Sequence, residues 1–535
     1  MAAVPSPGVA GASPGAARRV DAAMAAMTDE TTVSASRPHT GPASGTAARP
    51  ARITAAGWGW RYAGRRAAAV RDVSFTIEPG ERVLLLGASG SGKSTLLAGI
   101  AGLLGGADEG HETGSLLIDG ARAEEQRGRV GLVLQDPDAG VVLSKVGDDV
   151  AFGCENLGVP AADIPARVAE ALRAVGLDVP TSRPTKALSG GQKQRLALAG
   201  VLAMRPGVLL LDEPTANLDP DGVREVRLGV ERAVHETGAT LVAIEHRTAV
   251  WADLMDRVIV VGADGGLLAD GPPGDVFTRH GDALAAAGVW VPGRPVDLPV
   301  LAPAGQSHEA VLAASGLAIS RDGRTVVRAE LDVRVPRGAA TVVSGSNGAG
   351  KSTLALTLAG LLPEAAGEVV AAPELAARSG RRPSKWRSRE LLTRIGTVFQ
   401  EPEHQFLAST VRDELAIGPR SRGVQPAAVE AIVDELLERL HLAPLAGANP
   451  FTLSGGQKRR LSVATVLADA PPVIVLDEPT FGQDRRGWIE LVRLLQSEIA
   501  AGTSVIAVTH DEDVLRHLGG HRIELRAPAP MGAGS

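Results

Sequence analysis

Cysteine is nearly missing: Cys154 stands alone in 535 residues. That excludes an internal disulfide and any zinc site built from several thiolates, and it fits a reducing compartment. Positive charge is not in excess either. Lys and Arg number 55 against 61 Asp and Glu, a net charge of −6, so bulk binding to a polyanion would need a local basic patch. Long apolar runs are also lacking. Runs such as Val208-Leu209-Leu210-Leu211 fall far short of the roughly 18–20 residues a membrane span needs, so the chain is not expected to cross a bilayer itself. What remains, 44% hydrophobic and 22% charged, is an ordinary globular balance with material for at least two sizeable cores.

The opening fifty residues are mostly Ala, Pro, Gly, Ser and Thr, a composition that cannot repay its ordering entropy, and disorder is expected there. Arg18 and Arg19 are followed by no apolar stretch, which argues against a secretory signal, and Met24 or Met27 are alternative starts. A second stretch, from Pro292 to about Gly305, is rich in Pro and Gly and reads as a linker. The expected organisation is a tail (1–50), a first domain (51–291), a linker (292–308), a second domain (309–526) and a short disordered tail (527–535).

The two domains are copies of each other. Gly87-Ala-Ser-Gly-Ser-Gly92-Lys93-Ser94 recurs as Gly345-Ser-Asn-Gly-Ala-Gly350-Lys351-Ser352, 258 residues later. Gln135, Leu188-Ser-Gly-Gly-Gln192 and Asp212-Glu213 recur 265 residues later as Gln400, Leu453-Ser-Gly-Gly-Gln457 and Asp477-Glu478, and His246 recurs as His510. The change of seven marks one insertion, assigned to the basic stretch Arg378 to Arg389, which reads as a solvated loop.

Each landmark has a chemical reason. The glycine-rich segment follows an apolar strand and opens a helix, the setting of a phosphate-binding loop. Gly87, Gly90 and Gly92, with Gly345, Gly348 and Gly350, let backbone N–H groups face a phosphate. Lys93 and Lys351 reach its terminal groups, Ser94 and Ser352 can ligate Mg²⁺, and Thr95 and Thr353 are counted with them as nucleotide-binding residues. Asp212 and Asp477 end buried strands at the carboxyl edge of a sheet, placed to hold Mg²⁺ through water, and Glu213 and Glu478 are candidate general bases. Gln135 and Gln400 follow the strands Val130–Leu134 and Ile395–Phe399, where a side-chain amide can touch Mg²⁺ and water. His246 and His510 end the strands Leu241–Glu245 and Val505–Thr509 and can bond a γ-phosphate. Ser189-Gly190-Gly191-Gln192 and Ser454-Gly455-Gly456-Gln457 lead into helices and offer a second anion site, redundant unless it serves another subunit's nucleotide.

This order of motifs resembles the nucleotide-binding domain of ATP-binding cassette proteins, present twice. The resemblance implies an α/β fold: two P-loop NTPase domains, each a mainly parallel sheet with helices on both faces, an antiparallel β subdomain and a helical subdomain. It further implies ATP hydrolysis with Mg²⁺ and an intramolecular head-to-tail dimer. Site one would join Lys93, Ser94, Gln135, Asp212, Glu213 and His246 to Ser454, Gly455 and Gly456; site two would join Lys351, Ser352, Gln400, Asp477, Glu478 and His510 to Ser189, Gly190 and Gly191. The aromatic that stacks on adenine in this family corresponds to Tyr62, whereas the second copy has Ser320 at that register and no aromatic from Gly316 to Pro336. After the acid pairs, Ala216-Asn217-Leu218-Asp219 is ordinary for the family, but Phe481-Gly482-Gln483-Asp484 keeps only the last residue, which suggests asymmetric communication.

The segment after Gln400, Gln400-Glu-Pro-Glu-His-Gln405-Phe followed by Val411-Arg-Asp-Glu414-Leu-Ala-Ile-Gly418, is similar to the ATPases of energy-coupling factor importers of vitamins and transition metals. The first copy departs, with Gly140 where Gln405 stands. The resemblance implies a groove for a helix of an integral-membrane subunit, itself joined to a substrate-binding membrane subunit, and a place at the cytoplasmic face of the membrane. Asp149 and Glu414 are candidate acceptors there for the partner's arginines, the alternative being that they only cap or solvate their own helices. The two-copy fusion also resembles members associated with uptake of a thiamine precursor. The alternative is a twin-cassette protein acting on ribosomes or DNA. Against it stand the short Pro/Gly linker, the acidic net charge and the missing zinc cysteines. A sugar importer fits less well, since those tend to carry a degraded second site.

Overall fold

The computed structural model describes residues 49–301 and 309–525, apart from Ser89, Ala107, Arg127, Pro137, Asn217, Asp219 and Asn347. The disorder expected of the two tails, and the end of the linker, therefore concern residues outside those described. The described residues belong to one compact unit.

Each copy is built on a parallel sheet. In the first, β3 (Arg82–Leu86) lies between β7 (Thr240–Ile244) and β8 (Arg257–Val261), β7 is followed outward by β6 (Val208–Asp212) and β5 (Val130–Val133), and β9 (Leu267–Gly271) closes the other edge antiparallel to β8. The second repeats the plan with β14 (Ile395–Val398), β15 (Val473–Asp477), β16 (Ser504–Val508), β12 (Ala340–Gly345) and β17 (His521–Leu525). Among the described residues β9 has no counterpart there.

The inner strands are almost wholly apolar because both faces are covered, whereas the edge strands β9 and β17 carry polar, exposed residues. Alternate residues feed two separate cores. Leu84, Leu86, Leu209 and Leu211 pack under the helices, while Val83, Leu85, Val208 and Leu210 pack under a three-stranded antiparallel sheet of β1 (Ile53–Tyr62), β2 (Val70–Ile77) and β4 (Gly110–Ile118). In the second copy β10 (Ala310–Ser320), β11 (Val326–Pro336) and β13 (Ala366–Ala371) form the equivalent sheet. Strands before the functional residues end one position earlier than expected: Leu134, Phe399, Glu245 and Thr509 already lie beyond β5, β14, β7 and β16. The basic stretch after β13 carries its charges outward, but Trp386 within it is buried, with Nε1–H donated to Gly380 O at 2.7 Å.

Candidate functional site

The glycine-rich loops run from β3 and β12 into the helices Lys93–Ile100 and Lys351–Leu358. Gly92 and Gly350 precede these helices at φ 97° and 95°, a left-handed conformation that favours glycine; a β-carbon on Gly92 would lie 2.1 Å from the carbonyl oxygen of Ala69. Lys93 Nζ donates to Gly87 O (2.8 Å) and Ala88 O (2.9 Å), and Lys351 Nζ to Gly345 O (2.9 Å) and Ser346 O (3.0 Å). Burial lowers the Lys93 pKa, while Glu213, Asp212 and the second copy's Asp484 work against that shift. The loop after the second acid pair is thus near enough to be felt at the first phosphate loop.

Asp212 and Asp477 close β6 and β15, and each carboxylate accepts a hydrogen bond from the loop serine, Ser94 or Ser352. Burial, with Glu213 adding to it, pushes Asp212 up to about 6, and burial raises Asp477. Among the described residues Asp477 Oδ1 is buried with no hydrogen-bond partner. The serine hydroxyl and the carboxylate it bonds, whose raised pKa a cation would relieve, are hard-oxygen donors of the kind Mg²⁺ takes, and the amide oxygen of the glutamine after β5 or β14 is a third of the same type.

Glu213 and Glu478 both sit at φ 49°, where a side chain is strained, and each N–H is held by the neighbouring strand, at Ile244 O (3.0 Å) and Val508 O (2.8 Å). That strained turn lifts each carboxylate off the strand toward its histidine. The two sites then differ. His246 Nε2 lies 2.9 Å from Glu213 Oε1 and Gln135 Nε2 donates to Glu213 Oε2 at 2.8 Å, whereas His510 Nε2 lies 3.6 Å from Glu478 Oε1. Burial is the strongest single influence on Glu213 and works to raise it, but the hydrogen bond and charge of His246, together with the charge of Lys93, outweigh it and the pKa falls below the usual range. Glu478 is pushed up to about 7 by burial and by Asp477. Glu213, His246, Gln400, Glu478 and His510 all line one cavity of about 920 Å³.

Ser189 and Ser454 cap the helices Gly190–Ala203 and Gly455–Leu467 through reciprocal capping boxes. Each hydroxyl accepts from the glutamine N–H, and each glutamine Oε1, of Gln192 or Gln457, accepts from the serine N–H. These glutamines shape the turn. Tyr62 ends β1, its ring edge-on to Trp60 at 6.2 Å and its hydroxyl 3.2 Å from Thr95 Oγ1. Ser320, at the matching register, is buried and bonded to Asp322.

One expectation is corrected. Asp149 and Glu414 are buried, and their carboxylates already accept two loop N–H groups each: Val142 and Leu143 (2.8 and 2.7 Å) for Asp149, Leu407 and Ala408 (2.8 and 2.7 Å) for Glu414. Through Asp149 Oδ1 and Glu414 Oε2 they brace the segment after each glutamine, so these buried acids serve this chain's own loops rather than standing as exposed acceptors for a partner's arginine. Gln405 braces it further, accepting from Phe399 N–H and donating to Thr397 O.

Three features escape motif reading. Glu245, directly before His246, is buried and accepts from Thr215 N–H at 3.0 Å and from the Thr215 hydroxyl. Gln194 and Arg459, 265 residues apart, both donate to the carbonyl preceding the key glutamine, at Leu134 O (3.2 Å) and Phe399 O (2.7 Å). Lys193 and Lys458 pair with Asp138 and Glu403, again at matching positions. The repeat offset itself is the signal that could have found the last two.

Two stretches, residues 70–216 and 329–481, match the family described as ABC transporter. The chain belongs to the ABC transporter ATP-binding family. Its two cassettes bind ATP, and it is an ATPase. The chain is 36% identical over 475 residues to the "Putative HMP/thiamine import ATP-binding protein YkoD" of Bacillus subtilis (strain 168), a match that covers 83% of this chain and 84% of that protein. It is 34% identical over 520 residues to a "Putative ABC transporter ATP-binding protein" of Streptomyces avermitilis, covering 87% and 90%. Among solved structures, the archaeal ribosome recycling factor aABCE1, in complex with ribosomal stalk protein aP1, aligns with a TM-score of 0.58 at 20% identity over 88% of this chain and 87% of that one, a likeness of fold. No helix among the described residues is long and apolar enough to cross a membrane.

Proposed function

We propose that this ABC ATPase energises import of a small nutrient through a separate integral-membrane subunit, with two ATP sites composed across the cassettes. The observation that carries the reading is a matched pair of exposed apolar residues beside each key glutamine: Leu134 and Val142 in the first cassette, Phe399 and Leu407 in the second. Leu134 and Phe399, like Val142 and Leu407, are 265 residues apart, and each loop is held open by the buried acid beside it. Exposed apolar side chains on braced loops suit an apolar helix of a membrane partner.

At each site the phosphate loop, with Lys93 or Lys351, holds the phosphates, and Glu213 or Glu478 takes the proton of the attacking water as the β–γ bond breaks, giving ADP and phosphate. His246 or His510 orients that glutamate and the γ-phosphate. Mg²⁺, when bound, neutralises charge on the phosphates, and Ser94, Gln135 and Asp212, or Ser352, Gln400 and Asp477, would hold it. Ser454, Gly455 and Gly456, or Ser189, Gly190 and Gly191, complete the opposite site. The name of the B. subtilis relative supports a thiamine precursor as the nutrient class. The test is affinity purification from the native host: Val142→Asp and Leu407→Asp should each reduce co-purification of a membrane subunit while ATP binding is retained. Recovery of ribosomes in place of a membrane protein would overturn the reading.

A further inference from the structure

The segment joining the cassettes is bound to both. Following the helix Pro273–Ala286, its side chains alternate between two cores: Val289 and Val291 are buried in the core of the first cassette, while Trp290 packs on that of the second, as do Val296 and Leu298 further along. Trp290 stands edge-on to Trp488 at 5.7 Å and its Nε1–H donates to Gln483 O at 3.3 Å. The carbonyl of Trp290 accepts from the hydroxyl of Thr248, a buried residue whose own N–H donates to His246 O at 3.0 Å. On the far side, Gln483 Nε2 donates to Gly456 O at 3.3 Å. Arg485 secures the arrangement through its N–H to Gly288 O (2.9 Å) and its guanidinium to Ala285 O (3.3 Å) and Pro295 O (3.1 Å).

A continuous path therefore runs from the His246 loop through Thr248, Trp290 and Gln483 to the signature turn of the other cassette. It explains the departure at Gln483. The first cassette has Leu218 at that register, and Leu218 only approaches Gly190 and Gly191, its side chain coming within 3.9 and 3.7 Å of where their β-carbons would be. Gln483 instead uses its amide on Gly456 and its carbonyl on Trp290. Among the described residues the second cassette ends with β17, the counterpart of β8, and shows no matching strap.

We propose that Trp290 is a positioning residue that ties the His246 loop to the signature turn Ser454–Gly456, so that nucleotide at the first phosphate loop is registered on the second signature by a path with no counterpart among the described residues of the other site. The proposal rests on the reading of Ser454–Gly456 as the completion of site one.

Amide hydrogen exchange on the full chain, with and without Mg²⁺ and the non-hydrolysable analogue AMP-PNP, tests it with an internal control. In the parent, the analogue should slow exchange in both signature segments, 453–467 and 188–203, by a coupling of about 5- to 150-fold. In Trp290→Ala the slowing of 453–467 should fall to within about twofold of none, while that of 188–203 is kept. Thr248→Val removes the hydroxyl donor with little change of shape and should give the same one-sided loss, which keeps the test open if Trp290→Ala fails to fold. A purely structural role would speed exchange already in the nucleotide-free chain and leave the analogue's effect equal in both segments; that result, or an unchanged response in Thr248→Val, overturns the proposal. If neither signature responds in the parent, the composite-site reading fails before Trp290 is involved.

Discussion

Replacing Glu245 by Gln should change how stability depends on pH. The carboxyl is 3% exposed and is pushed up to about 7 from an ordinary 4.5, burial being the main cause and the two hydrogen bonds from Thr215 acting against it. Because the folded pKa is the higher one, the folded state keeps a proton that the unfolded chain has released between these values, and stability falls as pH rises through that window. At about 1.4 kcal/mol per unit, the cost is roughly 1 kcal/mol at pH 5 and about 3 kcal/mol at pH 8. Glutamine keeps the acceptor oxygen for Thr215 and carries no such penalty. The apparent melting temperature of Glu245→Gln relative to the parent should therefore rise between pH 5 and pH 8, by roughly 4–8 °C for a cassette of this size. The second cassette is its own control, since Thr509 occupies the matching place and introduces no carboxyl there. A difference between variant and parent that stays constant across the pH range would show that Glu245 does not bind a proton in the folded chain.

Glu213→Gln and Glu478→Gln should each lower steady-state ATP hydrolysis, and the double variant should lose about 10²- to 10⁴-fold while retaining bound ATP; parental turnover in the double variant would remove both glutamates from the role of base. Lys351→Ala, which leaves the Tyr62 site, should bind ATP about 5- to 150-fold more tightly than Lys93→Ala and should prefer purine over pyrimidine triphosphates, as measured by equilibrium binding; equal affinity and base preference would mean that stacking on Tyr62 contributes little. Asp149→Ala and Glu414→Ala each strand two loop N–H groups, so proteolysis of the segments after Gln135 and Gln400 should accelerate while binding of ATP at the phosphate loops persists; unchanged cleavage would mean the carboxylates do not hold those loops.

The repeat made the fold and most of the site legible, because Gly, Lys, Asp-Glu and His are bound to their chemistry at short range and a second copy removes coincidence. What escaped depends on contacts between residues far apart in sequence. Nothing local to Asp149 or Glu414 announces that their carboxylates turn back onto loop amides; both looked available because an acid near a groove is normally solvated. The positive φ of Glu213 and Glu478 follows from the pull of the adjacent strand on each N–H, a sheet-level constraint. Residues 292–301 read as a linker because Pro and Gly interrupt any periodicity, yet the segment is held from the other cassette by Arg485, and by Gln496, whose Nε2 donates to Pro299 O at 2.8 Å. Periodicity reports helices and strands; it is silent about irregular chain fixed by hydrogen bonds to its carbonyls.

The alternation of Val289, Trp290 and Val291 between two cores also bears on how the cassettes can change over time. Cassettes made as separate chains must find each other from solution, and any difference between them has to be recognised afresh at each encounter. Here every first cassette meets its own second cassette at the high effective concentration of a short connection. Like pairs are not needed, and a substitution in one half is always presented to the same opposite half. That removes the demand for self-complementarity, and it leaves positions such as Tyr62 and Ser320, or Leu218 and Gln483, free to drift into separate duties within a single molecule.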